Sequence, residues 1–430
     1  MITSDLHFVK DSFARSLISR LTAWLGLAVR KTCAVGGGGE IAGEEGSVAD
    51  LGEWGVIAAL KARMPAGALT TVGIGDDSAV VTAPSGSVVA AVDLLIEGRH
   101  FRREWSSAYD VGVKAAARSL ADIAAMGAVN TALLVALAAP GTLPARWAAD
   151  LAEGLAFEAT RAGAGVVGGD TARADTITLS VTALGDLAGR RPVLRSGARP
   201  GDVIAVAGSL GHAAAGLALL MAGVARAPEA SSAPRAPSSP TAPSPAAASS
   251  SPEAAAPSPP AALSSLVAAQ LRPAPPYDAG PEAARLGATA MIDVSDGLLA
   301  DLGHVAAASG VHVNVHAARL APGTALREAA AALSAAARSS RTNAAYSPPP
   351  VPQEGTTATR REVAPADATL TAMALEWVLT GGEDHALVAA FPPEAALPAR
   401  WRVIGEVRPG AGVTVDGAPH EGPAGWQHFT

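Results

Sequence analysis

Carboxylate side chains recur at five places where an apolar run begins or ends, most of them beside glycines. The first is Gly73-Ile-Gly-Asp-Asp-Ser-Ala-Val-Val81, in which Asp76 and Asp77 would repel each other unless a cation or a donor compensates. Glycine lets the backbone bend tightly and approach a ligand closely. The recurrence indicates one shared site rather than five separate turns. The other four places are Asp93, Gly168-Gly-Asp170, Asp293-Val-Ser-Asp-Gly297 and Gly381-Gly-Glu-Asp384.

Carboxylates with few histidines and no cysteines around them suit a hard cation. Mg²⁺ prefers oxygen ligands and usually links protein carboxylates to substrate phosphates. Any one aspartate is equally well explained as a turn former or helix cap, and Asp296, just before a helix, is the most open to capping. The set as a whole favours an ion site at strand ends, where α/β folds place ligands. The candidates are Asp76, Asp77, Asp93, Asp122, Asp170, Asp293 and Asp296.

The motifs of several other chemistries do not occur. The sequence has no G-x-x-x-x-G-K-[ST], no H-E-x-x-H and no pattern that predicts a serine or cysteine nucleophile. Gly208-Ser-Leu-Gly211 before a helix could offer N–H groups to phosphate or be a plain turn. Lys114 and Arg195 could neutralise phosphate or form salt bridges. His100 could contact a substrate or be structural, and Trp426 could stack on an aromatic substrate or pack at the core edge.

The composition argues against several classes of partner. The net charge is −7 and no basic cluster stands out, so no nucleic-acid partner is predicted. No run of about 20 apolar residues occurs, which argues against a membrane span. The single cysteine, Cys33, excludes an intrachain disulfide, and we expect a reducing, cytoplasmic setting. Residues 1–48 are interpreted as a poorly ordered extension rather than a secretory signal.

Strands and helices alternate in both halves of the sequence, which predicts two α/β domains. On one helix Lys114, Arg118 and Asp122 fall on the same face because they are four residues apart. A turn-rich segment after Arg195 marks the junction, and we place the domains at 49–192 and 193–430.

Helices are predicted at 51–64, 111–126 (Asp110 as N-cap, Gly127 as C-cap), 144–161, 212–221 and 298–308. Strands are predicted to end at Val81 and to cover 88–92, 176–184, 203–207, 289–294 and 311–315. Adjacent sheet strands are expected to carry the first two acidic turns. Two stretches rich in Ala, Pro and Ser, about 226–262 and 330–367, are predicted to be disordered inserts.

In their order along the chain, these motifs resemble those of the thiamine-monophosphate kinases. The resemblance runs from about residue 49 to the end, and only the extension and the two inserts lie outside it. It rests on Gly73-Ile-Gly-Asp-Asp77, Asp93 with Glu97-Gly-Arg-His-Phe101, Ser119-Leu-Ala-Asp-Ile-Ala-Ala-Met-Gly127, Gly168-Gly-Asp-Thr-Ala-Arg173, Arg195-Ser-Gly197, Asp293-Val-Ser-Asp-Gly-Leu298, Asp301-Leu-Gly-His304 and Gly381-Gly-Glu-Asp384.

The resemblance implies two α/β domains of the aminoimidazole ribonucleotide synthetase-like type, with the N-terminal domain binding ATP and Mg²⁺ and forming a homodimer. It implies ATP-dependent phosphorylation of thiamine monophosphate to thiamine diphosphate, the final step of thiamine diphosphate biosynthesis, by direct in-line transfer. The matching metal positions are Asp77, Asp93, Asp122, Asp170, Asp293 and Asp296, of which Asp122, Asp293 and Asp296 are the expected catalytic residues. The matching nucleotide positions are Gly169, Asp170, Arg195 and Ser295, and those around thiamine monophosphate are His100, Glu383 and Trp426.

The chain departs from the family pattern at a few positions. Ala91 and Val92 stand where Ser-Thr is frequent, and Ser119 and Ala121 stand in a motif that is usually Asn-Leu-Ser-Asp, so a loss of polar contacts is expected. His385 stands where tyrosine is common. Two alternatives remain open. One is another ATP-using enzyme of the same superfamily, and the other is a non-catalytic relative that binds nucleotide or metal.

Overall fold

The part of the chain that the computed structural model describes, residues 47–64, 67–74, 79–225, 261–344 and 367–426, contains nine α-helices and twelve strands. All of it belongs to one compact unit, residues 45–430. The helices are α1 (Val48–Lys61), α2 (Ala108–Ala125), α3 (Ala145–Arg161), α4 (His212–Met221), α5 (Ala261–Leu271), α6 (Ala279–Arg285), α7 (Leu298–Ser309), α8 (Thr324–Ala344) and α9 (Asp367–Thr380). The strands are β1 (Thr70–Val72), β2 (Val80–Val81), β3 (Val89–Ile96), β4 (Val129–Ala139), β5 (Gly165–Arg173), β6 (Thr178–Asp186), β7 (Val203–Ala207), β8 (Ala290–Val294), β9 (His312–Val315), β10 (Ala386–Phe391), β11 (Arg402–Arg408) and β12 (Gly412–Val415).

A four-stranded sheet in the order β3-β6-β4-β5 supports the first half of the site. Helices α2 and α3 pack against one face, where Leu133, Leu179 and Val181 are fully buried. The opposite face carries Val92 and Leu94, which are 63% and 51% exposed. Alternation along a strand sends successive side chains to opposite faces, so this sheet has one covered and one open side.

A six-stranded sheet in the order β12-β9-β11-β7-β10-β8 supports the second half. Its neighbouring strands are antiparallel except for the parallel pair β9 and β12. The two sheets fall on either side of the predicted junction at 192/193. One hydrophobic cluster nevertheless contains residues of both, including Leu133 and Leu387, so the division into two domains stays a prediction.

Helix α2 carries three of the charged candidates and begins earlier than predicted. Ser107 is the N-cap, and Asp110 is not the cap but the third helical residue of a capping box, in which its carboxylate accepts the Ser107 N–H at 2.9 Å. The helix ends at the C-cap Met126, and Gly127 follows with φ +74°, a left-handed conformation that suits glycine. The early start places six helical residues, less than two turns, before Lys114.

The predicted insert at 330–367 is wrong for its first part, because residues 330–344 continue α8. This segment is rich in alanine, the best helix former, and contains no proline. Leu326, Ala329 and Ala330 are buried. Leu326 and Ala329 belong to the hydrophobic cluster that also contains Ile204 and Val294 of the six-stranded sheet, and they anchor the helix there. Residues 345–366, the segment 226–260 and the extension 1–46 lie outside the described residues.

The connection after β1 contains the first acidic motif. β1 pairs with β2 in a separate two-stranded sheet. Among the described residues, β2 and β3 are therefore not neighbours, and the expectation that they would be adjacent is wrong. Residues 75–78 of the motif, including Asp76 and Asp77, lie outside the described part. Every helix in that part is too short or too polar to cross a lipid bilayer.

Candidate active site

A cleft of about 240 Å³ lies where the two halves of the sequence meet. Asp122 of α2, Asp293 of β8 and Arg195 line it, together with Ala91 of β3. Asp93, also on β3, contacts α2 through Ser119, whose hydroxyl oxygen lies 3.2 Å from the Asp93 Oδ2. The fold therefore brings together three carboxylates that are up to 200 residues apart, counted from Asp93 to Asp293.

The electrostatics of this cleft are unbalanced. Burial first, and then the negative charges of Asp293 and Asp93, raise the pKa of Asp122 to about 8. The positive charges of Arg118 and Arg195 oppose this shift without cancelling it. A buried carboxylate among like charges resists ionisation until a cation compensates.

The donors fit Mg²⁺ in type and in charge. Within the described residues, no group of three or more His, Cys, Asp or Glu side chains is close enough to form a closed metal cage. Mg²⁺ does not require one, because it usually keeps several waters and binds one or two carboxylates plus substrate phosphates. The raised pKa of Asp122 and the all-oxygen donor set are the observations that support a cation here.

Asp170 and Gly169 lie elsewhere on the four-stranded sheet. β5 is the edge strand opposite β3, and the register aligns Asp170 with Ala136, Ser180 and Leu94. Leu94 is on the open face, whereas its neighbour Asp93 faces α2. Within one chain, Asp170 and Asp93 are thus on opposite faces and opposite edges.

The turn after β8 is held by a carboxylate that sequence reasoning left without a role. Asp301, in the first turn of α7, accepts the N–H groups of Asp296 and Gly297, both at 3.1 Å. The N-cap of α7 is Gly297, so the capping alternative for Asp296 is wrong. Burial, followed by the charge of Asp293, raises the pKa of Asp301 to about 7. Asp301 therefore fixes the backbone of the turn that carries Ser295 and Asp296.

Glu383 ties this turn to helix α2. Its carboxylate accepts hydrogen bonds from Lys114 Nζ at 2.8 Å, Gln270 Nε2 at 2.9 Å and Arg118 at 3.3 Å. Burial alone would raise the pKa of Glu383, but the charges of Lys114 and Arg118 lower it to about 2. The salt-bridge alternative for Lys114 is therefore confirmed.

Asp384 occupies the start of α4. Its carboxylate accepts the N–H groups of Gly211 at 2.6 Å and Ala213 at 2.9 Å. The N–H of Gly211 in the turn and that of Ala213 in α4 are therefore already satisfied and are not available to a phosphate. Burial raises the pKa of Asp384 to about 7, although both N–H groups oppose the shift.

The other two positions matched to thiamine monophosphate are placed as follows. His100 accepts the N–H of Ile96 on Nδ1 at 3.0 Å, a bond within its own turn. Trp426 is 64% exposed, so of its two alternatives the one of core or edge packing is wrong. Its backbone N–H donates to the Asp296 carbonyl at 2.9 Å, which leaves the indole ring open beside the turn that carries Asp296.

The departures from the family pattern have mixed outcomes. The expected loss of polar contacts is wrong at Ser119, whose hydroxyl oxygen lies 3.2 Å from the Asp93 carboxylate and 2.9 Å from the Val181 carbonyl. Ala91 lines the cleft without a polar atom in its side chain, and Val92 points to the open face of the sheet.

Arg118 is a site residue that sequence reasoning placed on the right helical face but did not assign. Its guanidinium lies 3.3 Å from Glu383 and 3.8 Å from Asp93. The four-residue spacing from Lys114 to Arg118 to Asp122 was the signal that could have identified it.

Comparison with known proteins gives a consistent relationship. Residues 75–187 match the domain described as AIR synthase related protein, N-terminal domain. A thiamine-monophosphate kinase from Mycobacterium tuberculosis is 42% identical over 390 residues, which is 90% of this chain and 95% of the relative. The Corynebacterium glutamicum thiamine-monophosphate kinase is 33% identical over 390 residues, which is 89% of this chain and 95% of the relative.

Solved structures agree with the sequence relatives. The thiamine-monophosphate kinase of Stenotrophomonas maltophilia K279a is 29% identical, with a TM-score of 0.60, over 85% of this chain and 95% of that one. The structure of AaThiL with AMPPCP and TMP is 28% identical, with a TM-score of 0.58, over 88% and 98%. Because a relative of 42% identity matches almost end to end, the chain belongs to the thiamine-monophosphate kinase family.

Proposed function

We propose that this chain transfers the γ-phosphoryl group of ATP to the phosphate of thiamine monophosphate, giving thiamine diphosphate and ADP. The observation that carries the proposal is the cleft in which Asp93, Asp122 and Asp293 gather more negative charge than the nearby arginines offset. Such a cleft suits a cation that accompanies phosphate groups. The family relationship supports the substrate pair, since AaThiL was solved with AMPPCP, an ATP analogue, and TMP.

The reaction is a direct in-line displacement. A phosphate oxygen of thiamine monophosphate attacks the γ-phosphorus, the bond to the β–γ bridging oxygen breaks, and ADP leaves with the electron pair. The attacking phosphate is already ionised at neutral pH, so no strong general base is needed. Positioning and charge stabilisation then account for most of the catalysis.

The nucleotide side is assigned to Arg195 at the cleft, with Ser295, Gly169 and Asp170. Asp93, Asp122 and Asp293 would hold Mg²⁺, with contributions from Asp77 and Asp296 of the same chain. Asp170 would contribute from the second copy in a homodimer, because within one chain it is on the opposite face and edge of the sheet from Asp93. Bound Mg²⁺ supplies positive charge that offsets the phosphates of both substrates. On the acceptor side, the exposed indole of Trp426 is free to stack on an aromatic ring, and His100 and Glu383 complete the proposed contacts.

The open face of the four-stranded sheet supports a homodimer through the N-terminal domain, 49–192, with 193–430 as the C-terminal domain. Val92 and Leu94 leave an apolar surface exposed on this face, and such surfaces mark interfaces. Asp170 lies on the same face and would be at the interface. Leu94→Lys is expected to produce monomers in sedimentation experiments, and an unchanged dimer would contradict this arrangement. The single cysteine supports a cytoplasmic location.

The test is thiamine diphosphate formation from ATP, Mg²⁺ and thiamine monophosphate, measured beside an Asp293→Asn variant. Asp278→Asn is the matched control, because Asp278 is 86% exposed. Product in the wild type and control, with a loss of roughly a hundredfold or more in Asp293→Asn, is the expected result. Nucleotide binding without turnover would favour the non-catalytic relative, and turnover with a different acceptor would favour a sister enzyme.

A further inference from the structure

His385 makes a direct hydrogen bond to one of the proposed metal ligands. Its Nδ1 lies 3.0 Å from the Asp293 Oδ2, and the two side chains are 3% and 5% exposed. Among the described residues, no other side chain hydrogen-bonds to the Asp293 carboxylate. The orientation of this carboxylate therefore depends on the imidazole.

The direction of the bond follows from the chemistry of the pair. An ionised carboxylate only accepts hydrogen bonds, so the imidazole proton must be on Nδ1. The other ring nitrogen, Nε2, is buried and has no hydrogen-bond partner among the described residues. With the proton on Nδ1, the unpartnered Nε2 carries only a lone pair. The opposite tautomer would bury an unpaired N–H at Nε2, and it would also turn the lone pair of Nδ1 toward the Asp293 carboxylate, so that two acceptors would face each other.

The backbone around His385 holds the ring in place. Glu383 and His385 have φ values of +65° and +52°, which are unfavourable for residues other than glycine. Such conformations persist only where the surroundings determine them, and they concentrate at functional sites. Here the Glu383 N–H donates to the Ser295 carbonyl at 2.8 Å and the His385 N–H donates to the Val294 carbonyl at 2.9 Å.

The neighbouring side chains complete the fixation. Glu383 is bound by Lys114, Arg118 and Gln270, and Asp384 is bound by the start of α4. Residues 383–385 are therefore held by their backbone and by the side chains of Glu383 and Asp384. The backbone from which His385 reaches Asp293 has little freedom to move.

We propose that His385 is a positioning residue that orients the Asp293 carboxylate toward the divalent cation. The choice of cation rests on the proposed function. Partners that hydrogen-bond to metal ligands typically contribute tenfold to a hundredfold in metal affinity.

The test measures Mn²⁺ binding to the full chain with AMPPCP, by electron paramagnetic resonance and without turnover. His385→Leu removes the donor and is expected to weaken Mn²⁺ binding about tenfold to a hundredfold. His385→Asn places an amide N–H near the position of Nδ1 and is expected to stay within a few-fold of wild type. The amide of His385→Gln reaches the position of Nε2 instead, so this variant is expected to bind Mn²⁺ as weakly as His385→Leu. It replaces His385→Leu if the leucine variant does not fold.

A double-mutant cycle isolates the contact. In an Asp293→Ala background, His385→Leu should change Mn²⁺ affinity by less than about twofold, because no acceptor for the imidazole N–H remains at position 293. Equal weakening in both backgrounds, or wild-type affinity in His385→Leu, would overturn the proposal, and so would a wild type that does not bind Mn²⁺. The variants could show the expected Mn²⁺ affinities in a protein that makes no thiamine diphosphate. That result would support the positioning role of His385 and refute the proposed reaction.

Discussion

Two partly buried carboxylates, Asp122 on helix α2 and Glu383 in contact with that helix, have opposite environments. The pKa of Asp122 is raised to about 8, whereas the pKa of Glu383, which contacts the same helix α2, is lowered to about 2. Burial pushes both pKa values upward, so burial does not explain the difference. The difference comes from the partners that the chain itself provides.

Glu383 has two cations and an amide within 3.3 Å, whereas the neighbours of Asp122 include Asp93 and Asp293. Arg118 lies between the two environments, because its guanidinium contacts Glu383 and is also 3.8 Å from Asp93. A carboxylate that the chain neutralises acts as a structural link. A carboxylate left uncompensated is suited to an ion or ligand from solution.

The largest expected effect is that of Asp122→Asn on catalysis. Removing this charge should lower kcat by roughly a hundredfold to a thousandfold, since it deletes electrostatic stabilisation at the reacting phosphates. At pH 9, above the pKa of about 8, the same change should raise Tm in metal-free buffer, because it removes an ionised carboxylate that Asp93 and Asp293 repel. Steady-state kinetics and thermal melts measure both. A lower metal-free Tm would break the comparison.

Glu383→Gln should have the opposite effect on stability. Breaking the bridge leaves Lys114, which is only 3% exposed, without a counter-charge, and we expect a loss of about 3 kcal/mol in urea unfolding. Combining it with Lys114→Met should recover part of that loss, because the orphaned charge is then gone. No recovery in the double variant would show that the pair does not act as one unit.

Asp384 provides a pH-dependent version of the comparison. Its folded pKa of about 7 lies above its ordinary value of 3.8, so the unfolded state binds fewer protons in this interval and stability falls as pH rises from about 4 to about 7. Asp384→Asn removes this contribution. Between pH 5 and pH 8 the Tm of the wild type should therefore fall by a few degrees more than that of the variant. Parallel Tm profiles would contradict the shift.

The smallest effect is expected for Ser119→Ala. The variant loses one hydroxyl contact to Asp93, which corresponds to about 1 kcal/mol and a few-fold higher Mg²⁺ requirement. Ser265→Ala, at an exposed serine whose hydroxyl bonds only to its own helix, is the matched control and should leave the Mg²⁺ requirement unchanged. Identical Mg²⁺ titrations for the two variants would remove Ser119 from the site.

Local patterns were sufficient for elements with clear end signals. Strand β7 and helix α4 have the predicted bounds, since turn-forming residues flank the strand and Gly211 precedes the helix. The predicted stripe of charges on α2 is also confirmed by its contacts with Glu383. The chemistry of the cleft was readable because residue types alone specify an oxygen-donor site.

Other features depend on information that spacing does not carry. The separation of Asp170 from Asp93 follows from strand order and register, which place them on opposite faces. The partner of His385 follows from the pairing of β8 with β10. For α8, low complexity was interpreted as disorder, although an alanine-rich stretch that can bury Ala329 and Ala330 gains enough to fold.

The bridge between Lys114 and Glu383 also sets an order of events during synthesis. The two residues are 269 positions apart, and a ribosome adding about 5–20 residues per second needs roughly 13 to 54 seconds between them. During that time the interior of α2 must accommodate an ammonium group without its carboxylate. The first half of the chain can therefore reach its final packing only after the segment carrying Glu383 has been made.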